Sequence, residues 1–295
     1  MTYPPITYLL ALAASLVASL ATSGALVISE GEIYGKGAST NPPLQQQQQQ
    51  EFPLSGNSVM INQGSGVYLG LGWVLTSTHV GCAPVTFSNG STFSPQPNSW
   101  KILESHSGKP SDIAIFRLAE WEHSKFLRQL PPVRISHTAP AAGDRIVLAA
   151  TGYVQSGERK ALTLHGEKIA TQGVYLKQQR AFLFGYTTIA RVPDTLVKTK
   201  GGLETASFMT RFGREPGEAQ ATAGDSGGAA FRFNEATQEW EIVGIIFAVS
   251  HRARFVPYNA KTFVGALTEY QPQLSALAGA HPPIATNEPV PDFKG

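Results

Sequence analysis

At 295 residues the chain is long enough for one large or two modest domains with a real core. A net charge of +2, with 15% charged residues and no Lys/Arg-rich run, supplies no field for a phosphate backbone, so nucleic acid is not an expected partner. Cys82 is the single cysteine, which rules out an intrachain disulfide and a cysteine-based zinc site.

No charged side chain occurs from Met1 to Ile28, and Leu9 to Ala21 is an apolar run of signal-peptide length. Small residues at Ala21, Ser23 and Ala25 offer cleavage after Ser23 or Ala25, so residues 1–25 read as a signal peptide of a secreted or periplasmic protein. An uncleaved anchor is the alternative, and the one route by which a membrane becomes a partner. Residues 26–56 read as a linker, since from Glu30 onward Gly, Ser, Pro and the run Gln45 to Gln50 leave little to build a core.

From Ser58 the pattern turns to short apolar runs between turn residues: Val59 to Ile61, Gly66 to Gly70, Gly72 to Thr76, Val85 to Phe87 and, after Asp112, Ile113 to Leu118. Asn89-Gly90 signals a tight hairpin. A second series follows Pro131-Pro132: Arg145 to Ala150, Leu162 to Ala170, Gly173 to Leu176, Arg180 to Phe184, Ala229 to Phe233, Glu241 to Val249 and Phe255-Val256. With 29 Gly and 20 Pro, the chain reads as all-β, with one unit over 57–136 and another over 137–280. Apolar residues at near-helical spacing from Ala260 to Leu277, interrupted by Pro272, predict a helix closing the second unit. Residues 281–295 read as a disordered polar tail.

The stretch Gly224-Asp225-Ser226-Gly227-Gly228 comes closest to spelling out chemistry. Glycine permits a tight path with positive φ, and N–H groups of Gly224 and Ser226 that converge would hold the oxyanion of a tetrahedral intermediate while the Ser226 hydroxyl attacks a carbonyl. Such a serine needs a base. Of seven histidines, His79 is the one that a strand-like run, Gly72 to Thr76, delivers to a loop. The base needs an orienting carboxylate, for which Asp112 at the mouth of an apolar strand is the strongest candidate, with Asp144 and Asp194 as rivals.

Trp73 to Val80, Asp112 to Leu118 and Gly224 to Gly228 together resemble the histidine, aspartate and serine motifs of chymotrypsin/trypsin-like serine proteases, in that family's order, over about Ser58 to Leu277. The resemblance implies two packed antiparallel six-stranded β-barrels with a C-terminal helix and an active site between them. It implies His79 as general base, Asp112 as its partner, Ser226 as nucleophile, Gly224 and Ser226 as the oxyanion hole, polypeptides as substrates, and neither cofactor nor metal. An α/β-hydrolase esterase fits poorly, because there the histidine comes last. A quality-control protease of the HtrA type is disfavoured by the lack of room for a C-terminal peptide-binding domain. The remaining alternative is a protease-like binding protein without turnover.

Departures from the family carry expectations of their own. Val80 stands where animal digestive members have a cysteine. No Ile-Val-Gly-Gly-like string precedes Trp73, so Asp225, which in many members receives a freshly cut N-terminus, needs another partner. By the resemblance, Gln220, six residues before Ser226, stands at the base of the pocket for the P1 side chain, and Phe247 and Val249 stand on a strand that resembles the family's substrate-pairing edge. With no carboxylate there, the expected P1 residues are small or medium and uncharged.

Overall fold

The computed structural model describes residues 26–29, 52–164, 167–199, 201–215, 217–251 and 255–279. The expected signal peptide, most of the expected linker and the expected tail lie outside them. The all-β expectation holds, and the chain forms two packed β-units and a short C-terminal helix.

The N-terminal unit is a curled antiparallel sheet in the order Thr92–Phe93, Val85–Phe87, Ser58–Ile61, Gly64–Gly70, Trp73–Thr76, Pro110–Arg117, Lys101–Glu104. Asn89-Gly90 turns the chain as expected, with Gly90 at φ +83 and Val85 opposite Phe93. Alternate side chains, including Val59, Ile61, Tyr68, Val74, Phe87 and Phe116, fill the concave face. Among the described residues, closure is limited to a single bridge, Pro95 opposite Leu118. The edge strand Thr92–Phe93 has only two residues and runs into Pro95 and Pro97, which lack the N–H groups a ladder needs.

The C-terminal unit closes fully. Strands Arg145–Ala150, Leu183–Arg191, Ser207–Arg211, Lys261–Ala266, Glu239–Val249 and Ala229–Asn234 pair in a ring, each antiparallel to its neighbours. Ile146 and Leu148 point into this barrel while Val147 and Ala149 face the other unit, which is why the run is apolar throughout rather than alternating. Between the units lies a core of Val67, Leu75, Ile113, Ile115, Phe231, Ile245 and others, with the Phe52 ring at its centre, 5.2 Å from Phe184 and 5.1 Å from Phe231.

Three elements differ from the sequence reading. Leu26–Ser29 falls in the stretch read as linker, yet Val27–Ile28 pairs with Ala219–Gln220 and all four residues are buried. The runs read as short strands, Leu162 to Ala170 and Gly173 to Leu176, belong to two long ones, Tyr153–Leu164 and Glu167–Arg180, to which Phe255–Pro257 adds a third. In the segment read as helical, the α-helix covers only Gln271–Gly279, because Lys261–Ala266 is a strand that alternates Thr262, Val264 and Ala266 inward and Leu267–Tyr270 is a 3-10 turn. Pro272 then sits in the first helical turn, where its missing N–H leaves no bond unmade. This helix ties the units together: the Gln273 amide donates to Glu104 O (2.7 Å) and accepts from Glu104 N–H (2.9 Å).

Candidate active site

Trp73–Thr76 is fully buried between two neighbours, so it is a rigid rod with Thr76 opposite Ala114. It ends in Ser77 and a single 3-10 turn, Thr78–Val80, which lifts His79 to the surface. The adjacent strand, Pro110–Arg117, presents Asp112 at the same end. His79 Nδ1 lies 2.9 Å from both Asp112 carboxylate oxygens, and the His79 backbone N–H donates to Oδ1 at 3.1 Å. A carboxylate only accepts, so Nδ1 carries a proton, and in the neutral ring the lone pair is left on Nε2. The Asp112 side chain is 3% exposed while that of His79 is 44% exposed, so the carboxylate is shielded and the imidazole faces solvent. The rivals stand apart: Asp144 is engaged by Arg232 at 2.6 Å, and Asp194 is exposed on a loop.

Ser226 lies in a turn that only glycine allows. Gly224 and Gly227 have φ of +90 and +88, and a Cβ on Gly227 would collide with the Ser65 carbonyl oxygen and the Thr76 hydroxyl. The turn is docked directly on the histidine-bearing unit. Ser65 N–H donates to Ser226 O at 2.6 Å. The Ile246 carbonyl accepts both Gly227 N–H (2.7 Å) and the Ser77 hydroxyl (2.8 Å), so one oxygen anchors the Ser226 turn and the His79 turn together. Ser226 is half-buried; among the described residues its hydroxyl makes no hydrogen bond, and none joins it to His79 Nε2. The link runs through the shared scaffold.

The backbone of this turn is polarised in one sense. Ala223 O accepts Tyr153 N–H (3.2 Å) and Asp225 O accepts Gly228 N–H (2.8 Å), while among the described residues the N–H groups of Gly224 and Ser226 meet no acceptor. In a trans peptide the C=O and N–H point oppositely, so tying these two carbonyls inward turns the two N–H groups outward.

Asp225 is fully buried and its needs are met locally. Oδ2 accepts Thr222 N–H (2.7 Å) and hydroxyl (3.1 Å), Oδ1 accepts Gly152 N–H (2.8 Å), and the Arg180 guanidinium stands nearby. Burial nevertheless pushes its carboxyl up to about 7, against the lowering pull of these bonds and of Arg180. Arg180, Thr222 and Gly152 are the neighbours of Asp225 that the sequence does not point to, since no local motif marks them.

The expected pocket residues are less open than the resemblance implies. Gln220 is fully buried beside Val27. Its Nε2 donates to Ala221 O at 3.0 Å, and its Oε1 has no partner among the described residues. Phe247 is buried next to Phe263, and Val249 is half-buried against the barrel core. His251, not singled out by sequence, joins them: its Nε2 lies 3.0 Å from Ala221 O, and burial pushes its pKa down, so it is neutral and Nε2 is the donor. No described residues form a cluster able to hold a metal ion.

The family described as Trypsin matches residues 44–262. Among solved structures, a serine-to-alanine variant of Rv3671c from M. tuberculosis H37Rv in an inactive form is 17% identical, with TM-score 0.46, covering 84% of this chain and 98% of its own. The Rv3671c protease in an inactive form is 16% identical, with TM-score 0.48, covering 82% and 98%. The HtrA-type protease AlgW with a decapeptide is 15% identical, with TM-score 0.44, covering 74% and 52%. No curated protein matches the sequence.

Proposed function

The chain belongs to the trypsin family, and on that premise we propose that it is a serine endopeptidase whose triad is Ser226, His79 and Asp112. The observation that carries the reading is the Asp112–His79 hydrogen bond, next to a Ser77 hydroxyl that donates to the same Ile246 carbonyl that anchors the Ser226 turn. Ser226 Oγ attacks the peptide carbonyl carbon as its proton passes to His79 Nε2; the C–N bond breaks as that proton moves to the leaving amine; water then repeats the sequence on the acyl-enzyme. Asp112 holds the imidazole in the right tautomer and stabilises the imidazolium. The outward N–H groups of Gly224 and Ser226 receive the oxyanion. Free enzymes often hold the nucleophile and base too loosely for a hydrogen bond, which forms with substrate in place.

Fluorophosphonate labelling tests this. The native protein is expected to label at one site, Ser226→Ala not at all, and His79→Ala at least about 1000-fold more slowly. Failure of the folded native protein to label favours the alternative, a protease-like binding protein. For the P1 residue we propose small or medium, uncharged side chains, supported by the neutral pair Gln220 and His251 and by half-buried Val249. Dominant cleavage after Arg or Lys in a peptide library refutes it. We further propose export through residues 1–25, with cleavage after Ser23 or Ala25 leaving the docked segment Leu26–Ser29 on the mature chain; a secreted form that retains Met1 to Ser23 contradicts this.

The local donors to Asp225 support activity without a clip at an Ile-Val-Gly-Gly-like site. Protein that stays inert until cut between Glu30 and Gly64 overturns that.

A further inference from the structure

We propose that Arg180 is a positioning residue for the acyl-transfer site: it sets the direction of a chain of hydrogen bonds that ends on the Gly224 carbonyl, and so holds the Gly224 and Ser226 N–H groups where an oxyanion forms. The inference rests on the serine-peptidase reading and assigns a role outside the triad.

A guanidinium only donates. Arg180 Nε donates to Thr151 O (2.7 Å), Nη1 to Asn62 O (2.8 Å), and Nη2 to Gly64 O and to Thr151 Oγ1 (3.0 Å). The Thr151 hydroxyl therefore accepts from Arg180 and has its own proton left to give. Ser65 Oγ lies 2.8 Å from it. Ser65 Oγ already accepts Thr151 N–H (2.9 Å) and faces Gly224 O at 2.9 Å. That carbonyl only accepts, so it takes the single Ser65 proton, and the Thr151–Ser65 contact must use the Thr151 proton. With a donor-only group at one end and an acceptor-only group at the other, one order remains: Arg180 to Thr151 to Ser65 to Gly224 O.

The consequence falls on the oxyanion donors. Gly224 O belongs to the peptide unit between the two that carry the outward N–H groups, and fixing its plane fixes both neighbours. The same guanidinium grips both units, through Asn62 and Gly64 on one side and Thr151 on the other, directly beneath the residues that hold Ser226 O and Asp225. Without Arg180 the Thr151 hydroxyl is free to turn to Gly64 O, 3.4 Å away, and the chain loses its order.

Arg180→Met is expected to lower kcat about 10- to 100-fold with KM changed less than about twofold, because the interaction serves the transition state and not ground-state binding. Arg180→Lys, which keeps the charge but cannot reach all four acceptors, is expected to fall between. Since Arg180 acts through Ser65, Ser65→Ala combined with Arg180→Met is expected to lose no more than the worse single variant. Amide exchange over 222–228 is expected to quicken in Arg180→Met. A kcat within about twofold of native in folded Arg180→Met, or losses that multiply in the double variant, overturns the inference. If the native protein does not label with fluorophosphonate, it is the peptidase reading that fails. The positioning role is then decided by the exchange alone: faster exchange in Arg180→Met or Arg180→Lys upholds it, and unchanged exchange overturns it.

Discussion

Asp225 accepts three hydrogen bonds from Thr222 and Gly152 and still sits at a pKa of about 7, because full burial outweighs those bonds and a nearby guanidinium. An exposed carboxylate in the unfolded chain releases its proton near 3.8. Between these values the native state holds a proton that the unfolded state has already lost, so stability falls as pH rises. The Asp225 contribution is therefore full below about 4 and gone above about 7, a swing on the order of a few kcal/mol. Asp225→Asn, which does not titrate, is expected to remove this slope, read as unfolding free energy in urea from pH 4 to 8; an unchanged slope contradicts it. At Asp112 the effect is on rate. Asparagine in its place presents an amide donor to Nδ1, which moves the ring proton to Nε2, where it blocks the base. Asp112→Asn is expected to lower kcat by about 1000- to 10,000-fold with the fold intact.

At the scale of elements, the turn and the N-terminal strand make opposite cases for what a sequence shows. The Ser226 turn was legible because its chemistry and its backbone need the same residues: Gly227 has positive φ and a carbonyl pressed where a Cβ would lie. Gly227→Ala is expected to cost about 2 kcal/mol or more in unfolding free energy and most of the activity. Leu26–Ser29 was not legible as structure. Its three apolar residues were averaged into a stretch dominated by Gly, Ser, Pro and Gln, and only the tertiary fold brings Val27 opposite Gln220. Long-range satisfaction was hidden for the same reason: Arg180 lies 46 residues before Ser226 and meets its network only after the chain has gone through the barrel. The early start of the expected helix has a local cause: periodicity alone does not separate a strand with inward Thr262, Val264 and Ala266 from a helix. Leu26→Ala is expected to lower stability by about 2 to 4 kcal/mol, since Leu26 is fully buried in the barrel core.

The whole molecule places its proposed triad on two units that do not share a sheet. His79 and Asp112 belong to the curled N-terminal unit, Ser226 to the C-terminal one. They are registered by contacts across the seam: Ser65 N–H to Ser226 O, the Ser77 hydroxyl to Ile246 O, and Asp112 N–H to the Thr205 hydroxyl at 2.9 Å. Each is a single hydrogen bond, worth about 1 kcal/mol net, so the register depends on the apolar core beneath. Phe52 is central to that core and 2% exposed, packed on Phe184, Phe231 and Trp240. Phe52→Ala is expected to cost about 3 to 5 kcal/mol, through lost burial and the cavity left behind. Because the cavity opens between the units, activity is expected to vanish at a lower urea concentration than the far-UV circular dichroism signal. Phe87→Ala, an equal truncation inside the N-terminal unit, provides the contrast. There the histidine-bearing sheet itself melts, so activity and circular dichroism are expected to fall together. Coincident curves in Phe52→Ala would mean that the seam and the units unfold as one, and that the register of the triad has no stability of its own to lose.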